Sequence, residues 1–87
     1  MKLKLKGTEA AAGTSTTNGG NVGLATLVRV HNGGGTRRLV TLETAANVTI
    51  GTFTIPPNAT ELLDKDPTDE IFAAHADVLL VGIAYYS

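Results

Sequence analysis

Asp77-Val78-Leu79-Leu80-Val81-Gly82-Ile83-Ala84-Tyr85-Tyr86 is the stretch on which the fold turns. Read with the two-residue period of a strand, it puts Val78, Leu80, Ala84 and Tyr86 on one face. Leu79, Val81, Ile83 and Tyr85 fall on the other. Both faces are apolar, so both need cover. A strand of this kind is central in a sandwich or seated at an interface.

Working back from there, Asp66-Pro67-Thr68-Asp69 reads as a turn, or as a helix start. In the second reading Asp66 is the N-cap, Pro67 the first helical residue and Asp69 the third, which allows a single helical turn over 67–73. Thr60 to Lys65 reads as a short strand, and Pro56-Pro57-Asn58 stops the strand before it. Val48-Thr49-Ile50 and Phe53-Thr54-Ile55 are both strand-like, but their apolar phases differ. A bulge or bend at Gly51 reconciles them.

Val22 to Asn32 reads as one long strand and Thr36 to Glu43 as its return, joined through Asn32-Gly33-Gly34-Gly35. Two strands about a glycine-rich turn predict a hairpin. At the N-terminus Lys2, Lys4 and Lys6 alternate with Leu3 and Leu5, the pattern of a half-buried strand. Its lysines suit a sheet edge, where they discourage stray pairing. Residues 8–21, TEAAAGTSTTNGGN, are small and polar and predict a flexible Thr/Gly/Ala-rich loop or arm; the sharper alternative is an arm that orders on a neighbouring subunit. The sum is a single all-β domain over 1–87, a small antiparallel β-sandwich or barrel of about six to seven strands.

The chemistry-bearing residues do not assemble into catalytic motifs. His31 and His75 have no partner at metal-ligand spacing and read as surface or turn histidines. Asp64, Asp66, Asp69 and Glu70 invite a calcium reading, but they lack the alternating ligand order and turn glycine of the usual calcium loop. A solvated turn with a capping Asp accounts for them. Gly33-Gly34-Gly35 leads into Thr36-Arg37-Arg38 and a strand, whereas a phosphate loop needs Lys-Ser/Thr and a helix. Arg29, Arg37 and Arg38, brought together across the predicted hairpin, read as salt-bridge partners. There is no Cys, and neither Ser15 nor Ser87 has a base placed by the sequence. The expectation is a protein without enzymatic activity, cofactor or bound metal.

A chain of 87 residues makes a small core, and domains of this size often add disulfides, a metal or assembly. Without Cys or metal spacing, assembly remains. Net charge is −1, which offers no field to draw nucleic acid or an anionic membrane. Hydropathy is slightly positive for so small a domain, so apolar surface is spare. No segment has signal-peptide or membrane-span character, which predicts a soluble product made inside the cell. The 13 threonines fall mostly in strands and turns and suit exposed, hydrogen-bonding sheet faces.

One set of motifs is familiar in its order. Val28-Arg29-Val30-His31-Asn32-Gly33 is followed by Thr36-Arg37-Arg38-Leu39-Val40-Thr41-Leu42, then Ile50-Gly51-Thr52-Phe53-Thr54-Ile55. Lys65-Asp66-Pro67-Thr68-Asp69-Glu70-Ile71-Phe72-Ala73 precedes Ala76-Asp77-Val78 and the closing Gly82-Ile83-Ala84-Tyr85-Tyr86-Ser87. This order resembles small virion structural proteins of tailed bacteriophages of the marine and cyanophage type, across residues 22–87 and loosely at the N-terminal strand. The resemblance implies a capsid decoration (cement) protein, or a neck or tail component, located in the virion and made in the bacterial host cytoplasm.

The partner expected on that basis is the major capsid protein or another virion protein, with a homo-oligomer as an alternative and no membrane or nucleic acid. Lys2, Lys4, Lys6, Arg37, Arg38, Val81, Ile83, Tyr85 and Tyr86 are the expected interface residues. Competing readings are a neck, tail or fibre-attachment subunit and, in another class, a module for glycans or single-stranded nucleic acid.

Overall fold

A computed structural model describes residues 1–86; Ser87, considered above as a nucleophile, lies outside the described residues. Eight strands follow one another: β1 (Lys2–Leu5), β2 (Ala10–Ala11), β3 (Leu27–Asn32), β4 (Arg38–Glu43), β5 (Thr49–Ile55), β6 (Thr60–Asp64), β7 (Glu70–Ala73) and β8 (Val78–Tyr86). A 3-10 turn at Thr16–Asn18 is the one helical element among the described residues. One sheet has five strands in the order β1-β8-β3-β6, with β2 also on β8; the other has three, β5-β4-β7. Every strand pairing is antiparallel.

The core lies between the sheets. Val28, Val30, Val78 and Leu80 come from one side, and Val40, Ile55, Ile71 and Ala73 from the other. The expected small β-sandwich is therefore the observed architecture, with β2 and β7 added to the predicted strands. Its surface of 4918 Å² matches the roughly 4,900 Å² that size scaling assigns to a folded monomer of this mass. The chain closes on itself.

The reading of 77–86 holds in detail. β8 is central: β3 pairs with it over 78–82, and β1 and β2 take its other edge over 83–86 and 79–80. Val78 and Leu80 face the core, while Val81 and Ile83 point to the opposite face and are still only 4% and 3% exposed. The predicted irregularity at Gly51 is also present. The β4–β5 register steps from Leu42↔Gly51 to Glu43↔Thr49, which leaves Ile50 as the extra residue of a bulge.

The predicted hairpin between 22–32 and 36–43 does not form. β3 has β8 on one edge and β6 on the other, so no edge is left for β4. Residues 33–37 instead carry the chain across to the second sheet, and Asn32 holds that crossing. Fully buried, its Nδ2 donates to the carbonyls of Thr36 (2.7 Å) and Ile55 (3.1 Å), and its Oδ1 accepts from the Gly34 N–H at 3.0 Å. The hairpin among consecutive strands is β4–β5, turned at Thr44–Asn47 with Asn47 at φ 65°.

Two further expectations change. The strand begins at Leu27 and not at Val22, because Val22, Gly23 and Leu24 stand at φ 57°, 66° and 60°. Such a left-handed run is costly for a β-branched residue. Ala25 is seated on Gly82, where a Cβ would come within 2.9 Å of it. The helical turn over 67–73 is absent: Asp66–Asp69 closes as a β-turn (Asp69 N–H to Asp66 carbonyl, 3.1 Å), and Ile71 and Ala73 alternate inward on strand β7.

Residues 8–21, read as a flexible loop or arm, are laid across their own domain. Ala10–Ala11 pair with β8, Ala12 enters the core, and Gly13 and Gly20 bridge to Phe72 and Ile71 of β7. Small side chains make this close approach possible. The acidic turn carries the buried Lys65, whose Nζ donates to the carbonyls of Asp66 and Pro67, both at 3.1 Å.

Burial holds the Lys65 ammonium below its ordinary pKa, against the opposing pull of the Asp69 and Asp66 carboxylates. The unfolded chain therefore binds this proton more tightly than the folded one. Stability attributable to Lys65 rises with pH from the lowered folded value up to the unfolded value near 10.5. Urea midpoints of the wild type, measured against a Lys65→Met chain, should climb as pH is raised from 8 to 10.5. A constant difference would refute this.

Candidate docking surface

β8 is longer than the strands beside it. β3 covers it only over 78–82, so its last four residues pair with β1 alone and project as a two-stranded ribbon. Strand alternation gives this ribbon two different faces. Leu3 lies opposite Tyr85 and Leu5 opposite Ile83 on the face that turns away from the core. Lys2 lies opposite Tyr86 and Lys4 opposite Ala84 on the other.

The apolar face continues onto the body of the five-stranded sheet. One cross-strand row is Val81, Arg29 and Leu62, and the next is Leu79, His31 and Thr60. Val81 is roofed from the side by an ion pair, Arg29 Nη1 to Glu9 Oε2 at 3.0 Å. Leu3, Leu5, Leu62 and Tyr85 are 47%, 64%, 49% and 41% exposed. Leu3, Leu5 and Tyr85 thus form an exposed apolar cluster on the ribbon, and Leu62 lies beyond the Arg29–Glu9 pair on β6. Exposed apolar side chains in a contiguous patch mark an interaction surface, whereas scattered ones do not.

On the opposite face a shallow depression is lined by Lys4, Lys6, Ala84, Tyr85 and Tyr86. Strand alternation gives this face Lys2, Lys4 and Tyr86, with Tyr85 reaching its rim from the apolar side, and the unpaired edge of β1 separates the two faces. Seven of the nine expected interface residues lie on β8 and the N-terminal strand beside it but on its two faces, Lys2, Lys4, Lys6 and Tyr86 on one and Val81, Ile83 and Tyr85 on the other. Within that group Val81 and Ile83 are buried and support the cluster from beneath, while Leu3, Leu5 and Leu62 supply exposed area that the expected set omitted.

Arg37 and Arg38 are elsewhere. Arg38 pairs with Asp77 (3.5 Å) at the start of β8, about 30 Å of strand from Tyr86. With β3 and β4 in different sheets, the three arginines do not meet; Arg29 and Arg38 each find an acid of their own. The expectation of salt bridges holds for those two, and the proximity argument for the trio does not.

The histidines sit apart. His31 Nδ1 contacts the Thr60 hydroxyl at 2.8 Å. His75 Nδ1 accepts the Asp77 backbone N–H at 3.0 Å, so that nitrogen is not the donor a catalytic His–Asp pair requires. A cleft of about 360 Å³ between residues 6–13, the 20–23 turn, Ile71 and β8 is lined by backbone and small side chains, with Lys6 its one titratable group. Among the described residues no three His, Asp or Glu side chains converge in metal-ligand fashion, and no helix is long and apolar enough to cross a membrane. No protein-family model, no curated protein and no solved structure matches the chain.

Proposed function

We propose that this chain is a structural component of a tailed-phage virion, a capsid decoration (cement) protein that docks on the major capsid protein lattice and braces the shell. It acts by binding and not by catalysis. The observation that carries the reading is the projecting β1–β8 ribbon, with Leu3, Leu5 and Tyr85 uncovered beside a sheet whose core face is already satisfied. The resemblance of residues 22–87 to small virion proteins supplies the partner. A small domain repeated over a lattice needs only modest affinity at each seat, because many seats act together. Each seat in turn stabilises the folded domain.

Locating the protein in purified particles and counting copies tests this. Hundreds of copies on the shell, with heat and low-salt tolerance lost when the protein is omitted, is the expected result. Six or twelve copies would move it to the neck, tail or fibre attachment, and shells indifferent to its omission would remove the bracing role.

The docking face makes its own prediction. Leu5→Asp and Tyr85→Asp change exposed positions, so the isolated domain should keep its stability within about 0.5–1 kcal/mol. Their occupancy on the shell should fall at least tenfold. Full occupancy with both substitutions would rule out this face.

A second reading rests on the opposite side of the same ribbon. Lys2, Lys4 and Lys6 beside Tyr86 form a cationic strip with one stacking ring, the elements of a single-stranded nucleic-acid site. Binding of that kind weakens steeply with salt. A flat response of oligonucleotide binding between 50 and 200 mM salt would eliminate it.

A further inference from the structure

Glu43 ends β4 and Glu70 begins β7, and the two stand directly opposite each other in the ladder. Like charges in that position repel. Over them lies the loop that leaves β7 at Gly13 and returns at Gly20. Within it, the Thr16 hydroxyl donates to Glu43 Oε1. Gly19 comes so near that a Cβ there would stand 2.6 Å from Glu43 Oε2, 3.2 Å from Glu70 Cβ and 3.4 Å from Glu70 Oε1. Both carboxylates therefore border the space beside Gly19.

Glu43 is fully buried, and its Oε2 has no hydrogen-bond partner. Among the described residues, Arg29 pairs with Glu9 and Arg38 with Asp77, and no cationic side chain pairs with Glu43 or Glu70. A buried carboxylate without a counter-charge is strongly disfavoured. A cation satisfies both acids at once.

We propose that Glu43 and Glu70 hold a divalent cation of the calcium class beneath the 14–19 loop and that this ion pins the loop to the three-stranded sheet. Calcium takes six to eight oxygens in a flexible shell, with water among them, and the two carboxylates supply its charged protein share. Magnesium's rigid octahedron is a poorer match to so irregular a set. The ion differs from the one considered for Asp64, Asp66, Asp69 and Glu70: of those four acids it uses Glu70 alone, and the turn that holds Asp66 and Asp69 is occupied by the Lys65 ammonium. The inference stands independently of the docking reading.

The test uses the whole chain, stripped with EDTA and returned to chelator-free buffer at pH 7.5. Calorimetric titration with CaCl2 should show one site, and CaCl2 at a hundredfold excess over its dissociation constant should raise Tm by about 10–20 °C. MgCl2 should do less. Glu43→Gln and Glu70→Gln should each abolish the response; Glu70 is half-buried, so E70Q carries the test if E43Q does not fold. Equal Tm in EDTA and CaCl2 overturns the proposal, including the case in which Tm rises on acidification, as a proton shared by the two acids would produce. Undiminished calcium binding in E70Q overturns it as well.

Discussion

Asn32→Ala should unfold a large fraction of this domain at room temperature, or lower its Tm by about 20 °C or more. Asn32 is fully buried at the point where the chain passes from one sheet to the other. Its amide satisfies the carbonyls of Thr36 and Ile55 and the N–H of Gly34 in one stroke. Alanine leaves those three backbone groups without that side chain, and orphaned buried polar groups cost about 1–3 kcal/mol each. Partial access of water to the Thr36 and Gly34 groups moderates the sum to about 3–5 kcal/mol. A domain of this length has a total stability of about 4–13 kcal/mol to lose. At this size each kcal/mol moves Tm by about 4–8 °C.

Asn32→Asp separates the hydrogen-bond account from a mere loss of volume. The aspartate keeps the acceptor for Gly34 but sets a carboxylate against two carbonyl oxygens, so it should be at least as damaging as alanine despite its matching shape. Thermal and urea unfolding of both variants checks the order. If N32D proves nearly as stable as the wild type, Asn32 does not hold the crossing.

Asn32 also marks where sequence reasoning stopped. The run Asn32-Gly33-Gly34-Gly35 permits a reversal, but glycine confers freedom without direction. A hairpin and a crossing between sheets use the same residues. What decided between them was competition: β6 and β8 occupy both edges of β3, and no local pattern reports that. The expected meeting of Arg29 with Arg37 and Arg38 failed at the same step, since it was inherited from the hairpin.

Legible features were those with a strong local cause. The two-sided apolar run over 78–86 had to be central in a sandwich or seated at an interface, and it is central over 78–82. The Lys/Leu alternation over 2–6 predicted a half-buried edge strand; the edge strand is there with its two unlike faces, but Leu3 and Leu5 are exposed and not half-buried, because nothing among the described residues packs over the ribbon. The phase conflict at Gly51 required a bulge.

Illegible features depended on partners distant in sequence. Val22 and Leu24 alternate like strand residues yet adopt positive φ, where an L side chain is strained unless surroundings hold it. Asp66-Pro67 fits a helix N-terminus and a β-turn equally, and the inward alternation of Ile71 and Ala73 selected the turn. Glu43 looked like any acid at a strand end; only the loop above it makes it buried. The composition of 8–21 suggested freedom because small residues bury little area, but they can pass where larger ones cannot.

Gly13 puts that last point in its sharpest form. A Cβ at Gly13 would stand 1.9 Å from the Asn18 carbonyl oxygen and 2.7 Å from its carbon, both backbone atoms that cannot rotate aside. Gly13 is also tied to β7, its carbonyl accepting the Ala73 N–H at 2.9 Å. Gly13→Ala must therefore open the 14–19 loop or pull Gly13 off the sheet. Either movement uncovers Glu43 and separates it from the Thr16 hydroxyl. Overpacking against fixed atoms costs about 1–3 kcal/mol, and the loss of the loop's contacts places this variant at or above the top of that range. The expected Tm drop is about 12 °C or more. Gly7→Ala is the matched control: no atom lies within 4 Å of its added methyl, so it should be neutral or slightly stabilising. Limited proteolysis adds a local readout. G13A should be cut within residues 14–19 under conditions that leave both the wild type and G7A intact. Equal resistance in all three chains, with Tm unchanged, would mean that the loop is not held down at Gly13 and that the burial of Glu43 has another cause.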